Sequence, residues 1–345
     1  MLEMNRKFLV ETMKELIEVP STVSYYDEIH PYLETKAKAL GYDVFYDHKR
    51  TAYVKLEGKD TSKTVCIGAH VDTIGLIVRS INPDGTLRVR ELGGLNYQSV
   101  EGESVIVHTR DGKSYSGMII CKSHSVHVFD DARSIPRDED SMQVLLDYDV
   151  HTPEEVYAMG IDHGDIISIE PRFQYTSEGF IRSRHIDDKA SAACLLYLMK
   201  YLKEHDMKPA YTTLFAFPIY EEINHGGAYV PKEVSEYVAL DIALIGPDYH
   251  GSEYKVTICA KDNFSPYDRG LTTKLVNLAK DEQLNYCVDI FYRYGTDANA
   301  AVRAGNNVYA AAFGMGCMNT HGMERCHISA VEETCKLTYA YMMAE

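Results

Sequence analysis

The sequence lacks the features that secreted, membrane-spanning and nucleic-acid-binding proteins share. No apolar run approaches the roughly 20 residues that a membrane span needs. The stretch from Met1 to Pro20 mixes Lys and Glu with its apolar positions, unlike a secretory signal peptide. Basic residues are also outnumbered: the sequence has 35 Lys and Arg and 51 Asp and Glu, which gives a net charge of −16. This acidic balance disfavours nucleic acid and anionic membrane surfaces as partners.

The cysteine pattern does not indicate a disulfide framework. The eight cysteines form no C-x-x-C pair, and several lie in apolar segments, as Cys66 and Cys194 do. In a chain without a secretion signal, such cysteines are typical of reduced, mostly buried thiols. We therefore expect a cytoplasmic protein.

Length and composition predict a globular protein of two domains. The 345 residues exceed the roughly 100–200 of a typical single domain. Hydrophobic residues make up 45% and charged residues 25%, close to the averages for soluble globular proteins. No internal repeat or low-complexity tract is present. A large hydrophobic core is therefore possible without disulfides or a structural metal.

Two kinds of hydrophobic pattern in the sequence indicate where the domains lie. Residues 1–75 and 172–345 combine helical periodicity with continuous apolar runs such as Thr64–His70. The segment 76–171 instead contains short alternating runs separated by turn signals such as Asn82-Pro83-Asp84-Gly85. Alternating strands and helices favour a mostly parallel sheet flanked by helices. We therefore predict an α/β domain (1–75 and 172–345) interrupted by a small inserted β-domain (76–171).

Five segments place His or carboxylate side chains at or just beyond the end of a predicted strand, where open α/β sheets bind their ligands. They are His70-Val71-Asp72, Asp187-Asp188, Glu221-Glu222, Asp241 and His321. Taken singly, each has a structural explanation: a strand-end histidine is more often structural, an aspartate pair can cap a helix, and a glutamate pair can lie on a solvated face. Asp241 is harder to explain in this way, because an unpaired carboxylate between apolar neighbours is costly to bury.

In their order, these segments resemble those of the co-catalytic dinuclear metallo-aminopeptidases of the glutamyl and deblocking type, the tetrahedral TET-type peptidases. The matching motifs are His70-Val71-Asp72-Thr73-Ile74-Gly75, Asp187-Asp188-Lys189, Glu221-Glu222 with Gly227-Ala228, and Gly295-Thr296-Asp297-Ala298. They span almost the whole chain. The resemblance implies a zinc-exopeptidase-like α/β domain with a small β-barrel or PDZ-like domain inserted between the first histidine and the aspartate pair.

The resemblance also implies two divalent metal ions per subunit, zinc or cobalt, with manganese compatible with the same ligands. His70 and Asp241 would bind one ion, Glu222 and His321 the other, and Asp187 would bridge both. Each ion would then have three protein ligands and a shared water, the open arrangement of a catalytic site. Two ions roughly 3.5–4 Å apart can activate that water and stabilise the developing alkoxide.

Three further roles follow from the same resemblance. Asp72 would orient His70 from behind the metal. Glu221 would be the general base, taking a proton from the water and passing it to the leaving amine. Asp188 would support Asp187, through a non-proline cis peptide bond between the two. The implied reaction is removal of N-terminal residues from peptides by a dimer-based homo-oligomer, assembled through the inserted domain and in many relatives a dodecamer.

Two ligand assignments have rivals in the sequence. His327 lies six residues beyond His321, although its position suggests the start of the last helix. Asp248 follows Pro247 in an apparent loop, whereas Asp241 directly follows a strand. We favour His321 and Asp241.

The chain departs from the family pattern at three places. Ile223-Asn224-His225-Gly226 stands where many relatives have Val-Gly-x-Arg. Lys189 replaces a common Arg, and Met318-Asn319-Thr320-His321 replaces a common Arg-Tyr-x-His. These differences indicate a divergent subgroup whose preferred N-terminal residue cannot be inferred from its relatives.

Two other functions compete with aminopeptidase activity. An amidohydrolase or deacylase acting on N-acylated amino acids or small amides could use the same metal site, since related folds host both chemistries. A non-enzymatic scaffold with the ancestral fold would have lost ligands, yet every expected ligand and the base are present.

Overall fold

The structure is a computed structural model and describes residues 2–345. The chain divides into two compact units. One contains the residues up to Thr73 together with Arg172–Glu345, and the other is Ile74–Pro171. The larger unit is therefore built from two separate stretches of the chain.

A nine-stranded sheet organises the larger unit, counted over the described residues. Eight strands follow the order β1-β2-β12-β3-β13-β17-β15-β16, and β14 pairs with β17. The strands are β1 (Val44–Tyr46), β2 (Ala52–Leu56), β3 (Asp60–Gly68), β12 (Tyr211–Phe217), β13 (Val234–Leu240), β14 (Ala243–Leu244), β15 (Val256–Lys261), β16 (Tyr286–Ile290) and β17 (Tyr309–Cys317). The central strands β12, β3, β13 and β17 are parallel, whereas β2 and β15 pair antiparallel with their central neighbours.

Helices cover the sheet, and buried side chains fill the space on both of its faces. The helices of this unit are α1 (Arg6–Glu18), α2 (Ile29–Ala39), α4 (Ile186–Glu204), α5 (Arg269–Asp281), α6 (Asp297–Arg303) and α7 (Ile328–Met343). One core contains apolar residues of α1, α4, α5 and α7. A second core includes Ala298 and Ala301 of α6. Three further short strands, β10 (Gln174–Tyr175), β11 (Phe180–Ser183) and β18 (Glu324–His327), form a separate small sheet.

The smaller unit is a closed antiparallel barrel with strand order β4-β5-β8-β7-β6-β9. Its elements are β4 (Gly75–Ile81), β5 (Leu87–Leu92), β6 (Ser104–His108), β7 (Ser114–Cys121), β8 (Met142–Leu146), α3 (Pro153–Met159) and β9 (Ile166–Ile169). Its core is a cluster made mainly of Val, Leu and Ile side chains. Closing the sheet removes its exposed edges.

The predicted fold class is confirmed: a mostly parallel sheet flanked by helices, with an inserted small β-barrel. Seven of the eight cysteines are buried, as expected for structural thiols. Among residues 2–345, none of the helices combines the length and apolarity needed to cross a membrane.

Candidate metal centre

The parallel strands bring the predicted site residues to one edge of the sheet. β3, β12, β13 and β17 all run in the same direction, so their carboxyl ends meet there. His70 follows β3, Glu221 and Glu222 follow β12, Asp241 follows β13, and His321 follows β17. Asp187 and Asp188 lie at the start of α4.

His70 is at the centre of the first half of this cluster. Its ring is almost fully buried, and its Nε2 lies 3.1 Å from Asp187 Oδ1 and 3.7 Å from Glu221 Oε2. His70, Glu221 and Asp241 each offer a ligand atom, and these atoms lie within 4.8 Å of one another. A cation placed among them would have nitrogen and carboxylate donors, the types that zinc and cobalt bind.

His321 forms the second half. Its Nε2 lies 3.3 Å from Glu222 Oε2 and 3.7 Å from Asp187 Oδ2. Asp187 therefore directs one oxygen toward His70 and the other toward His321. This is the geometry that a bridging carboxylate requires.

Asp241 and Asp188 complete the cluster. Ligand atoms of Asp187, Asp188 and Asp241 lie within 4.8 Å of one another, and all three residues are buried. The peptide bond between Asp187 and Asp188 is cis, as the family resemblance implied. Burial raises the pKa of Asp188 well above the usual value for an aspartate. Asp188 thus adds a further carboxyl group beside Asp187.

Asp72 contacts both His70, as the sequence predicts, and the glutamate pair. The nearest acceptor for His70 Nδ1 is the main-chain oxygen of Asp72, at 3.0 Å, whereas its carboxylate Oδ1 is 3.6 Å away. The two carboxylate oxygens instead accept the main-chain N–H groups of Glu221, at 3.2 Å, and Glu222, at 3.1 Å. Asp72 thus supports the histidine and the glutamate pair together.

The electrostatics of this edge favour positive charge. Burial raises the pKa of Glu221, Glu222 and Asp241, and neighbouring carboxylates raise each of them further. Burial opposes protonation of His70, but its hydrogen bonds to Asp187 and Asp72 outweigh this and raise its pKa well above the usual value. A cluster of buried carboxylates with two histidines is stabilised by bound cations, because like charges this close destabilise one another. The donor set therefore fits divalent metal ions.

Glu324 belongs to the site although the sequence reasoning did not select it. It is 2% exposed, and its two oxygens accept the N–H of Asp187 at 3.1 Å and the N–H of His321 at 3.3 Å. Burial raises its pKa well above the usual value. One carboxylate thus orients two of the predicted ligands. Its spacing, three residues beyond His321, was the available signal.

The two rival ligands lie in other surroundings. His327 precedes α7, where its ring contacts Ser329 Oγ at 2.7 Å and the main-chain oxygen of Glu178 at 2.8 Å. Asp248 is an exposed residue of a turn. Neither rival, nor His321 itself, is part of the three tightest histidine and carboxylate groups among the described residues. His321 is distinguished from the rivals by its contacts with Glu222 and Asp187.

Comparison with known proteins identifies the family. Residues 51–337 match the family described as M42 glutamyl aminopeptidase. The chain belongs to the M42 glutamyl aminopeptidase family. The predicted class of enzyme, a metallo-aminopeptidase-type hydrolase, is thereby confirmed. This M42 protein is 39% identical to YhfE, a candidate aminopeptidase of Bacillus subtilis, over 97% of each chain.

Solved structures of TET peptidases share the fold of this M42 protein. The TET aminopeptidase of a marine sediment Thaumarchaeota archaeon superposes with a TM-score of 0.86 at 20% identity, covering 99% of this chain and 97% of that one. The TET1 peptidase of Pyrococcus horikoshii, described as assembling into a tetrahedron or a large octahedral shell, gives a TM-score of 0.84 at 22% identity, covering 98% and 100%. At these identities the likeness establishes the fold alone.

Proposed function

We propose that this protein is a dinuclear metal-dependent aminopeptidase that removes N-terminal residues from peptides. The observation that supports this most strongly is the convergence of five side chains, distant in sequence, on one edge of the sheet. These are His70, Asp187, Glu222, Asp241 and His321, which we assign as the metal ligands. His70 and Asp241 would hold one ion and Glu222 and His321 the other, with Asp187 between them.

The chemistry of the bound ions would be that of Lewis acids, which acidify a water and polarise the scissile carbonyl. The protein supplies the proton transfers. Glu221 is largely buried, and burial together with neighbouring carboxylates raises its pKa well above the usual value. A carboxylate of raised pKa accepts a proton readily and can donate it to the leaving amine. We therefore assign Glu221 as the general base and general acid.

Asp72 and Glu324 would act as positioning residues in this scheme. Asp72 accepts the N–H groups of Glu221 and Glu222, and Glu324 accepts those of Asp187 and His321. Partners of this kind fix the direction of metal ligands and typically change affinity or activity by roughly 10–100-fold when removed. Asp188 adds a further carboxyl group beside Asp187.

The test combines a substrate panel with a single substitution. Purified protein is stripped with a chelator, reloaded with zinc, cobalt or manganese, and assayed on peptides with free N-termini and on their N-acetylated counterparts. We expect turnover of the free peptides only, restored by at least one of the ions. Turnover confined to the acetylated compounds would instead identify an amidohydrolase or deacylase.

The Glu221→Gln variant tests the assigned base. It should bind the same amount of metal as the wild type, while kcat falls by roughly 10²–10⁴-fold because the proton acceptor is lost. Glu236→Gln is a matched control, since Glu236 lies near the start of β13, away from the edge where the site forms. A metal-loaded Glu221→Gln protein with wild-type kcat would remove Glu221 from this role.

We further propose that the protein is a homo-oligomer that assembles through the barrel of residues 74–171. The support is the shared fold with a TET1 peptidase described as assembling into a tetrahedron or a large octahedral shell. Light scattering on the full chain, compared with a variant carrying charged substitutions on the barrel surface, tests this. A monomer at micromolar concentration would contradict it.

A further inference from the structure

The glutamate pair lies on a short, irregular segment whose geometry depends on its anchors. Glu221–Ile223 and Gly226–Ala228 each form a single 3₁₀ turn between β12 and β13. Turns of this kind make few hydrogen bonds of their own. Asp72 anchors the beginning of the segment through the N–H groups of Glu221 and Glu222.

A second buried carboxylate, Asp297, anchors the other end. Its Oδ1 accepts the N–H of Gly227 at 2.5 Å. A Cβ atom placed on Gly226 would lie 2.5 Å from Oδ1 and 2.6 Å from Oδ2, and one on Gly227 would lie 2.1 Å from the main-chain oxygen of Asp297. The two glycines therefore allow the turn to pack directly against this carboxylate, and a side chain there would displace it.

Asp297 is itself held in a fixed place. The preceding Thr296 shares a hydrogen bond of 2.7 Å with the Tyr267 hydroxyl, which also contacts Asp262 Oδ2 at 2.9 Å. Asn299, two residues further on, donates to Asp262 Oδ1 at 2.6 Å. All of these side chains are buried. The network fixes the first turn of α6 and hence the carboxylate that the glycine turn contacts.

A purely structural role explains this arrangement poorly. Asp297 is 4% exposed, and its Oδ2 has no hydrogen-bond partner among the described residues. Burying a carboxylate with an unsatisfied oxygen destabilises a fold, and an apolar residue could fill the same volume. The segment from Glu221 to Ala228 needs an acceptor for the Gly227 N–H that also restricts the turn sterically, and Asp297 meets both needs.

We propose that Asp297 is a positioning residue that holds Glu221 and Glu222 in register with the rest of the site, as the counterpart of Asp72 at the other end of the segment. This inference rests on the proposed function for its kinetic consequence. Its structural consequence does not depend on activity.

The kinetic test compares two substitutions of the same residue in the full-length, metal-loaded protein. Asp297→Ala removes the acceptor, so kcat should fall by roughly 10–100-fold, with KM within about twofold, because a misplaced base affects mainly the transition state. Asp297→Asn retains an amide oxygen that can accept the Gly227 N–H. Because this hydrogen bond is kept, kcat of Asp297→Asn should stay within about threefold of the wild-type value. Equal losses in both variants would show that charge rather than position matters, and would overturn the proposal.

Gly226→Ala provides an independent route to the same effect. The added methyl group collides with both oxygens of Asp297, so kcat should fall as in Asp297→Ala. In an Asp297→Ala background that collision is absent, and Gly226→Ala should change kcat little further. Fully multiplicative losses in the double variant would contradict a direct contact between the two positions.

Hydrogen exchange gives a readout that does not require activity. In metal-free protein, the amides of residues 219–228 should exchange at least about tenfold faster in Asp297→Ala than in wild type, whereas those of the barrel should not change. Glu236→Ala, which removes a buried carboxylate elsewhere, should leave residues 219–228 unaffected. If the wild type cleaves no peptide, the proposed function fails. The exchange result still shows whether Asp297 anchors residues 219–228. Unchanged exchange in Asp297→Ala overturns the anchor even in an active enzyme.

Discussion

One buried histidine from each unit, His70 from the larger unit and His108 from the barrel, shows how the two environments differ. His70 is 2% exposed and lies among carboxylates, whose hydrogen bonds overcome the effect of burial and raise its pKa well above the usual value. His108, in the barrel, is 4% exposed, and burial lowers its pKa to about 4. Its ring contacts two serine hydroxyls, Ser168 Oγ at 3.0 Å and Ser114 Oγ at 3.4 Å.

The difference follows from what surrounds each ring rather than from how deeply it is buried. The edge of the sheet that carries the candidate metal centre gathers carboxylates, and these attract positive charge, whether a proton or a metal ion. The barrel core consists mainly of aliphatic side chains, which favour the neutral ring. Burial alone therefore does not distinguish a histidine of the candidate site from a structural one.

The largest expected difference between the units is their response to divalent cations. A metal ion at a thousand times its dissociation constant stabilises the folded protein by about 4 kcal/mol. Hydrogen exchange with and without zinc or cobalt should show this protection at the ends of β3, β12, β13 and β17, and not in the barrel. Asp187→Ala, which removes the carboxylate facing both histidines, should abolish the response.

Equal protection of both units, or protection that persists in Asp187→Ala, would contradict a cation site at this edge. Asp60→Ala is the matched control for the loss of an aspartate. Asp60 begins β3 at the opposite end from His70 and is exposed, so its replacement should leave the cation response intact.

A smaller effect is expected at Asp72, and it distinguishes the two anchors of the glutamate segment. Both oxygens of Asp72 accept main-chain N–H groups, so an asparagine would turn its NH₂ group toward one donor. Asp72→Asn should therefore lower kcat by roughly 10–100-fold. At Asp297 only one oxygen accepts a main-chain N–H group, and an asparagine oxygen can replace it. Asp297→Asn should therefore leave kcat nearly unchanged. Similar kcat values for the two asparagine variants would remove this distinction.

Most of the central sheet could be predicted because its strands are continuous apolar runs followed at once by polar residues. The run Thr64–His70 contains the last part of β3, and residues 212–220 contain most of β12. The antiparallel members were not predicted. β15 lies between β17 and β16, an arrangement set by pairing between distant segments that no local pattern encodes.

The candidate ligand set was selected because its order along the chain resembles that of a known family. Glu324 and Asp297 could not be given roles in this way. Glu324 acts by accepting the N–H of Asp187, which is 137 residues away. Asp297 acts on Gly227, 70 residues away. Contacts to main-chain groups leave almost no trace in the sequence, because any residue offers the same N–H group.

The smallest expected effect concerns His108 and the pH dependence of the barrel. Burial lowers the pKa of His108 in the folded protein to about 4, below the ordinary histidine value of 6.5. The unfolded chain therefore binds more protons between these two pH values. The stabilisation by neutral His108 is therefore complete above about pH 6.5 and is lost as the pH falls toward 4. Allowing for partial screening by solvent, the loss is on the order of 1 kcal/mol.

His108→Gln isolates this contribution, since glutamine can bond to the serine hydroxyls but does not titrate. Hydrogen exchange of β6 and β9, corrected for intrinsic rates, should show that barrel stability in the wild type falls more steeply between pH 6.5 and 4.5 than in the variant. Carboxylates titrate in the same pH range in the wild type and in His108→Gln. The difference between the two curves of barrel stability against pH therefore reports His108 alone. Parallel curves would mean that the barrel tolerates a charged ring at position 108. His70 and His108 would then differ in their contacts but not in the cost of protonating them.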